Sequence, residues 1–176
     1  MGNPTPAGAR IVVLDDSLAS LPIAEADLGI PWNWRIGPAS RPVSEETYVA
    51  QAFTPAGVGL RPFSVAHVEQ PWRKARSPGD LTIRWTRRSR ALAADSLGGL
   101  EVPLAEELEA YEVEFLDGAG VKRVLSTATT SAVYSAAQQT ADWGAPLGPG
   151  DTLGIRIYQL SALVGRGAPK TVTLSF

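Results

Sequence analysis

Residues 110–126 read AYEVEFLDGAGVKRVLS, and this stretch decides the fold. Within it, apolar side chains alternate with acidic ones, which is the two-residue period of a strand that buries one face. The sequence DGAG at 117–120 is typical of a hairpin turn, so residues 121–126 return along the first strand. The set predicted to face inwards is Tyr111, Val113 and Phe115, and the set predicted to face outwards is Glu112 and Glu114.

The same short alternating runs recur through the second half of the chain, separated by turn residues. Their number and spacing predict an antiparallel β-sandwich, so the fold class is all-β. The predicted strands are 63–68, 81–86, 110–116, 121–126, 131–135, 153–158 and 171–176. The predicted core comprises Trp85, Tyr111, Val113, Phe115, Ile155, Ile157, Val172 and Leu174.

The first part of the chain has a less regular pattern. Strands are predicted at 11–14, 31–36 and 47–53, with proline and glycine between them. We therefore divide the chain into an irregular β module at 8–62 and a sandwich at 63–176. Residues 104–110 have helical propensity, but they are few and lie between two strands, so a loop or a single helical turn is expected there.

Composition excludes several function classes. The 176 residues are 44 % apolar and 19 % charged, which is a globular composition. Because there is no cysteine, disulfides, thiol catalysis and zinc–thiolate sites are excluded. The net charge of −2 argues against a nucleic-acid binder. No apolar run approaches 18 residues and no secretory signal is visible, so we expect neither a membrane span nor export by that route.

Catalysis is not expected. His67 is the single histidine, and Ser64 lies three residues before it on a predicted strand, where the two side chains point to opposite faces. The paired acids at 15–16, 45–46 and 106–107 lie in polar stretches that water solvates. We predict no catalytic residue, no metal site and no cofactor.

Charge is segregated along the sequence. Seven cations lie between residues 73 and 90, and an acidic stretch from 95 to 117 contains no lysine or arginine. Arg156 is predicted to pair across strands with Glu112 or Glu114. Arg87, Arg88 and Arg90 have no such partner by topology, and they are candidate binding residues for contacts outside the domain. The alternative is that the basic and acidic segments pair within the fold or with neighbouring subunits.

Tryptophans provide the other candidate binding residues. Trp143 lies in the sequence DWGAPLGPG, which predicts an exposed loop at 141–149, and we take it as a candidate contact for a host or a subunit. Trp32 and Trp34 are two residues apart on one strand and share a face. Because sugar faces stack on indole rings, a cell-surface glycan is a candidate ligand; core filling is the alternative.

The second half resembles a fibronectin type III domain. The resemblance is carried by Trp85 in GDLTIRWTRRSRA, by Tyr111 in AYEVEFLDGAG, and by the final pair TLGIRIYQLSALVGRGAPKTVTL with its GRGAP bend. The family usually places a tyrosine at the start of the sixth strand, where this chain has Leu153. In that family the tyrosine hydroxyl bonds to the backbone and forms the tyrosine corner. We therefore expect this corner to be absent or replaced here.

Nearly the whole chain resembles the C-terminal part of the host-specificity (baseplate megatron) tail protein of gene transfer agents and related phages of alphaproteobacteria. The stretches that carry this resemblance are RIGPASRPVSEETYVAQAFTPAGVGLRPFSVAHV, SPGDLTIRWTRRSRALAADS, EVPLAEELEAYEVEFLDGAG and YQLSALVGRGAP. It implies a virion tail-tip protein, synthesised in the bacterial cytoplasm, that contacts other tail or baseplate subunits. It also implies that the full-length protein is a homotrimer.

The sequence thus predicts a non-catalytic structural and binding fragment of a tail-tip host-specificity protein. The rival interpretation is a carbohydrate-binding accessory domain of a polysaccharide-active enzyme. An exposed row of aromatic rings in the isolated chain would favour the rival.

Overall fold

A computed structural model describes residues 21–69, 77–91 and 102–176. The chain divides into two compact units, Met1–Ala56 and Gly57–Phe176. The strand predicted at 11–14 and the basic residues at 73, 74 and 76 lie outside the described residues.

The described part of the first unit is built on one antiparallel ribbon. β1 (Trp32–Ile36) pairs with β2 (Val49–Phe53), so both predicted strands are present. The connection between them is folded around Tyr48, whose hydroxyl donates to the carbonyls of Pro38 and Arg41. A Cβ at Gly37 would lie 2.5 Å from the Tyr48 ring, so this approach requires glycine.

The second unit is a sandwich of two antiparallel sheets, as predicted. One sheet pairs β3 with β6, and the other has the order β5-β4-β7-β8, with β9 also paired to β7. This is the strand order of a fibronectin type III-like domain, so the predicted fold class is confirmed. The strands are β3 (Leu81–Arg84), β4 (Tyr111–Asp117), β5 (Gly120–Thr127), β6 (Ser131–Tyr134), β7 (Thr152–Ser161), β8 (Gly165–Arg166) and β9 (Lys170–Ser175).

The strand predicted at 63–68 is reduced to a single bridge. Ala66 and Thr86 exchange two backbone hydrogen bonds, of 2.8 and 2.9 Å. His67 then has a φ of 44°, and pairing resumes only where the Glu69 amide donates to the Arg84 carbonyl. His67 is thus an extra residue, or β-bulge, that shifts the pairing with residues 84–86 by one position. A regular strand cannot continue through a residue in this left-handed conformation.

Aromatic side chains join the two sheets. Trp85 follows β3 and meets Tyr111 of β4 edge to face, with ring centroids 5.2 Å apart. Phe115 of β4 stacks on Tyr134 of β6 at 4.1 Å. Of the eight predicted core residues, seven are buried, and Val172 is half-buried and packs against them. The period-two alternation therefore predicted the core correctly.

The sequence interpretation missed one helix, α1 (Ala136–Trp143), which follows β6. Ser135 and Gln138 form a capping box: the Ser135 hydroxyl accepts from the Gln138 amide, and the Gln138 side chain accepts from the Ser135 amide. Gly144 ends the helix with a φ of 88°. The loop at 104–110 has no helix, as expected.

A buried glutamine on α1 bonds to the backbone at three points, whereas the position of the family's corner tyrosine holds a leucine. Leu153 is buried and carries no hydroxyl. Gln139 is fully buried, and its Nε2 donates to the carbonyls of Tyr134 (2.6 Å) and Gly79 (3.0 Å). Its Oε1 accepts from the Leu147 amide at 3.0 Å. One side-chain amide thus joins the helix to three backbone segments.

Substituting this glutamine tests that role. We expect Gln139→Leu to lower the free energy of unfolding by about 2–4 kcal/mol, because two carbonyls and one amide lose a buried partner. Ala137→Leu introduces the same side chain at an exposed position of the same helix. It is the matched control and should change stability by less than about 0.5 kcal/mol. Urea denaturation measures the free energy of unfolding of both variants. Equal losses would show that the buried side-chain amide of Gln139 does not stabilise the fold.

Candidate functional site

The structure pairs two of the candidate arginines within the second unit. Arg87 contacts Glu109 at 3.0 Å, and its Nε donates to the Val102 carbonyl. Arg90 forms a two-bond fork with Glu106 at 2.9 and 3.1 Å. The expectation that these cations lack partners is therefore wrong. The reason is topological: the chain leaves β3 with the basic residues and returns to β4 with the acidic ones, so the two legs of one loop face each other.

Arg88 differs from its neighbours. Its guanidinium carbon lies 5.2 Å from the centre of the Phe63 ring, and Phe63 is exposed. This is cation–π geometry at the surface. Of the three candidate arginines, Arg88 is the one whose described contact is an aromatic face rather than a carboxylate.

The predicted cross-strand pair is confirmed. Arg156 lies opposite Glu114 in the β4–β7 register, with Nε 3.1 Å from a carboxylate oxygen. The N–H does not point at that oxygen, so the contact is an ion pair rather than a hydrogen bond. Glu114 is buried rather than solvent-facing, because Arg166 reaches it at 2.6 Å and also bonds Glu112.

Trp143 is not in an exposed loop. It is the last residue of α1, half-buried against the sandwich core. Its indole N–H donates to the Tyr134 hydroxyl at 2.8 Å, and the Lys122 ammonium lies 5.6 Å from its ring centre. The expected site at 141–149 is corrected accordingly: the capping box makes the first residues of that segment helical, and the helix directs the indole inwards.

Asp142 organises the polar group beside Trp143. It accepts from Arg123 through both carboxylate oxygens and from the Tyr134 hydroxyl at 2.6 Å. The hydrogen bonds from Arg123 hold the pKa of Asp142 below its ordinary value of 3.8, with Tyr134 acting in the same direction against burial. Burial and the bond to Asp142 raise the pKa of Tyr134, which therefore remains a donor.

Hydroxyls at the end of β5 and in the turn after it border a depression of about 300 Å³, on the edge of β6 that faces away from β3. The Thr127 and Thr129 hydroxyls both donate to the Ser131 carbonyl, at 2.9 and 3.2 Å. They occupy a backbone acceptor that an added strand would otherwise use. This arrangement protects an edge against unwanted pairing.

The described ranges hold no cluster of three His, Asp or Glu side chains that could bind a metal ion. Within the same ranges, no helix has the length and apolar character needed to cross a bilayer.

An exposed apolar surface lies on the first unit. Residues directly opposite each other in the β1–β2 ribbon share a face. One face consists of Trp32, Trp34, Ile36, Val49, Gln51 and Phe53, and we call it the ribbon face. Ile36, Val49 and Phe53 are 60, 64 and 46 % exposed, although all three are large and apolar. Sequence reasoning found the two tryptophans but missed the β2 half of this surface.

The two indoles of the ribbon face stack on each other. Their ring centroids are 5.4 Å apart and their planes differ by 16°. Each ring therefore turns one of its faces towards the other ring, and the Trp34 Nε1 atom is buried.

The comparisons with known proteins concern the fold. No family model and no curated protein matches the chain. Among solved structures, it is similar to a crystal structure of the rat CD45 extracellular region, domains d3–d4, with 12 % identity and a TM-score of 0.43. The match covers 100 % of this chain and 79 % of that one.

Because Trp143 packs on the core, its substitution should lower the stability of the second unit. We expect Trp143→Ala to cost about 2–4 kcal/mol of stability, because it removes a half-buried ring from the core edge. Trp143→Phe keeps an aromatic ring but removes the N–H donated to Tyr134, and should cost about 1 kcal/mol. Thermal denaturation of both variants provides the measurement. An unchanged melting temperature for the alanine variant would return Trp143 to the candidate contacts.

Acid should weaken the Asp142 group. Because the folded pKa of Asp142 lies below 3.8, its stabilising contribution is complete above that pH and is lost as pH falls through the folded pKa. Asp142→Asn should therefore be less stable than the parent by about 1–3 kcal/mol near neutral pH. That difference should shrink below about pH 3.5. Urea unfolding of both proteins across this range is the measurement, and a pH-independent difference would contradict the assignment.

Proposed function

We propose that the chain is a non-catalytic structural and binding fragment of a phage-like tail-tip, or baseplate hub, host-specificity protein. In this role it contributes to particle assembly and to attachment at the host surface. It acts in the virion, at the tail tip, after synthesis in the bacterial cytoplasm. Its partners are other tail or baseplate subunits. The proposal draws on the sequence stretches quoted above and on the surfaces of the two units.

The ribbon face is the observation that carries this proposal. Among residues 21–56, the described part of the first unit, Pro55 is the single buried residue. The large apolar side chains of this part are instead exposed or half-buried. A contiguous apolar surface of this kind marks a protein–protein contact. The first unit thus has the character of an assembly module.

The sandwich supports a binding role at one end. The Ala162 amide, beyond β7, donates to Glu107 in the β3–β4 connection at 3.2 Å, which brings two loops together. Leu108 and Leu163 in these loops are 72 and 44 % exposed. Loops held by a rigid β scaffold are common recognition elements. We assign host-surface attachment to this loop pair rather than to Trp143.

The carbohydrate-binding alternative has less support. Sugar recognition by stacking needs an aromatic ring that offers its face to the ligand. Trp32 and Trp34 use their facing surfaces on each other, and Trp143 packs on the core. The described tryptophans therefore do not form the exposed row of rings that the alternative requires.

Locating the protein on the particle tests the proposal. The full-length protein, epitope-tagged at a loop, should be labelled by antibody-coated gold at the tail tip when particles are viewed by electron microscopy. Particles carrying a tag on a capsid protein provide the control for label position. Purified particles without tail-tip label, from cells that make the tagged protein, would contradict the proposal.

A further inference from the structure

We infer that the outer face of β3, together with the residues that continue it, binds an acidic polysaccharide of the host surface. The binding surface consists of Arg84, Thr86 and Arg88, and we call it the arginine face. The inference rests on the proposed function, since it names the chemistry of a ligand at the host surface. Recognition there uses charge and hydroxyl groups rather than stacking on tryptophan.

The arginine face holds cations that no carboxylate neutralises within the described ranges. In the second unit, the described arginines that contact a carboxylate are Arg87, Arg90, Arg123, Arg156 and Arg166. Those without such a contact in the same ranges are Arg61, Arg84 and Arg88, and all three are exposed. A guanidinium without an internal acceptor keeps its N–H donors available, and carboxylates and phosphates are the groups that fit them.

Alternation along the chain places these side chains outwards. Ile83 and Trp85 are buried, so Arg84 and Thr86 point away from the core, and Arg88 is exposed two residues further on. Extended chain separates the Arg84 and Arg88 backbones by up to roughly 13 Å. A polymer with repeated anionic groups therefore meets both arginines more readily than a single small anion does.

Arg88 is restrained before any ligand binds. Its guanidinium carbon lies 5.2 Å from the centre of the Phe63 ring. The ring attracts the cation but offers no acceptor oxygen, so the contact restrains the side chain and leaves its N–H groups for another partner. A side chain that is already restrained loses less conformational entropy on binding.

Neighbouring hydroxyl groups favour a polysaccharide over an acidic peptide. Arg84 lies directly opposite Ser131 in the β3–β6 register, so the two side chains share a face. Ser131 also borders the depression of about 300 Å³, with Ser126, Thr127 and Thr129. Each of these hydroxyl oxygens accepts as well as donates, which suits the many hydroxyl groups of a sugar chain.

One carboxylate opposes the binding of an anion here. The Glu69 amide donates to the Arg84 carbonyl at 2.9 Å, which places Glu69 beside Arg84, and Glu69 is exposed. No ion pair joins their side chains in the described part of the chain. Because Glu69 would repel an anionic ligand, Glu69→Gln should strengthen binding by about two- to threefold.

Binding of the full chain to immobilised polygalacturonate, a carboxylated polysaccharide, tests the inference by biolayer interferometry. The chain should bind polygalacturonate but not neutral dextran, and added salt should weaken the binding. Arg84→Gln and Arg88→Gln should each weaken it by about tenfold. Arg35→Gln removes the same charge from an exposed position of the first unit and is the matched control. It should change the affinity by less than about twofold.

Phe63→Leu separates the position of Arg88 from its charge. The variant keeps the net charge but removes the ring that restrains Arg88, and it should weaken binding by about threefold. Circular dichroism and the melting temperature show whether each variant is folded.

Three results would overturn the inference. The first is no binding to polygalacturonate at low salt. The second is equal weakening by Arg35→Gln and Arg88→Gln, since binding would then follow total charge alone. The third is tighter binding to poly-L-glutamate, weakened by Arg84→Gln and Arg88→Gln, which would assign the arginine face to an acidic protein. None of them would remove gold label from the tail tip, so the proposed function is tested separately.

Discussion

The contact between two pairs of aromatic rings is the interaction on which the sandwich depends. Trp85 on Tyr111 and Phe115 on Tyr134 each join one sheet to the other. Such pairs add about 0.5–1.5 kcal/mol each beyond the area they bury. Because they fix which face of β4 and β6 points inwards, they also determine where the alternating polar residues go. Glu114 therefore lies on the face of β4 that points away from the core, where Arg156 and Arg166 pair with it and it is buried.

The segregated charges of the sequence acquire a structural explanation from the same topology. The basic residues that follow β3 and the acidic residues that precede β4 lie on the two legs of one connection, so Arg87 meets Glu109 and Arg90 meets Glu106. The Glu106 side chain is buried, and a buried carboxylate is costly unless a partner such as Arg90 bonds it in a fork. For Arg87 and Arg90, the segregated charges therefore correspond to pairing within the second unit.

Local pattern predicted most strands and the core, but not the elements that depend on long-range or non-periodic information. The alternation around Tyr111 and Ile155 needs no tertiary contact to be recognised. The bulge at His67 depends on its backbone conformation, which the residue type does not reveal. The helix α1 did have a local signal, the capping box from Ser135 to Gln138. A helix that starts at this capping box reaches Trp143, and its inward position follows from the helix rather than from the loop that the sequence DWGAPLGPG indicated.

The described parts of the two units differ in how much of their apolar surface is buried. In the second, the outer polar groups bond one another and the apolar groups face a shared interior, so its described part has a core of its own. In the first, the ribbon has an apolar face without a described second layer. Any partner that binds an exposed apolar face adds to the stability of the unit that carries it, and the gain rises with the partner's concentration. In the assembly role that we propose for this face, the order of the first unit and the binding of its partner are thermodynamically linked, because the same side chains serve both.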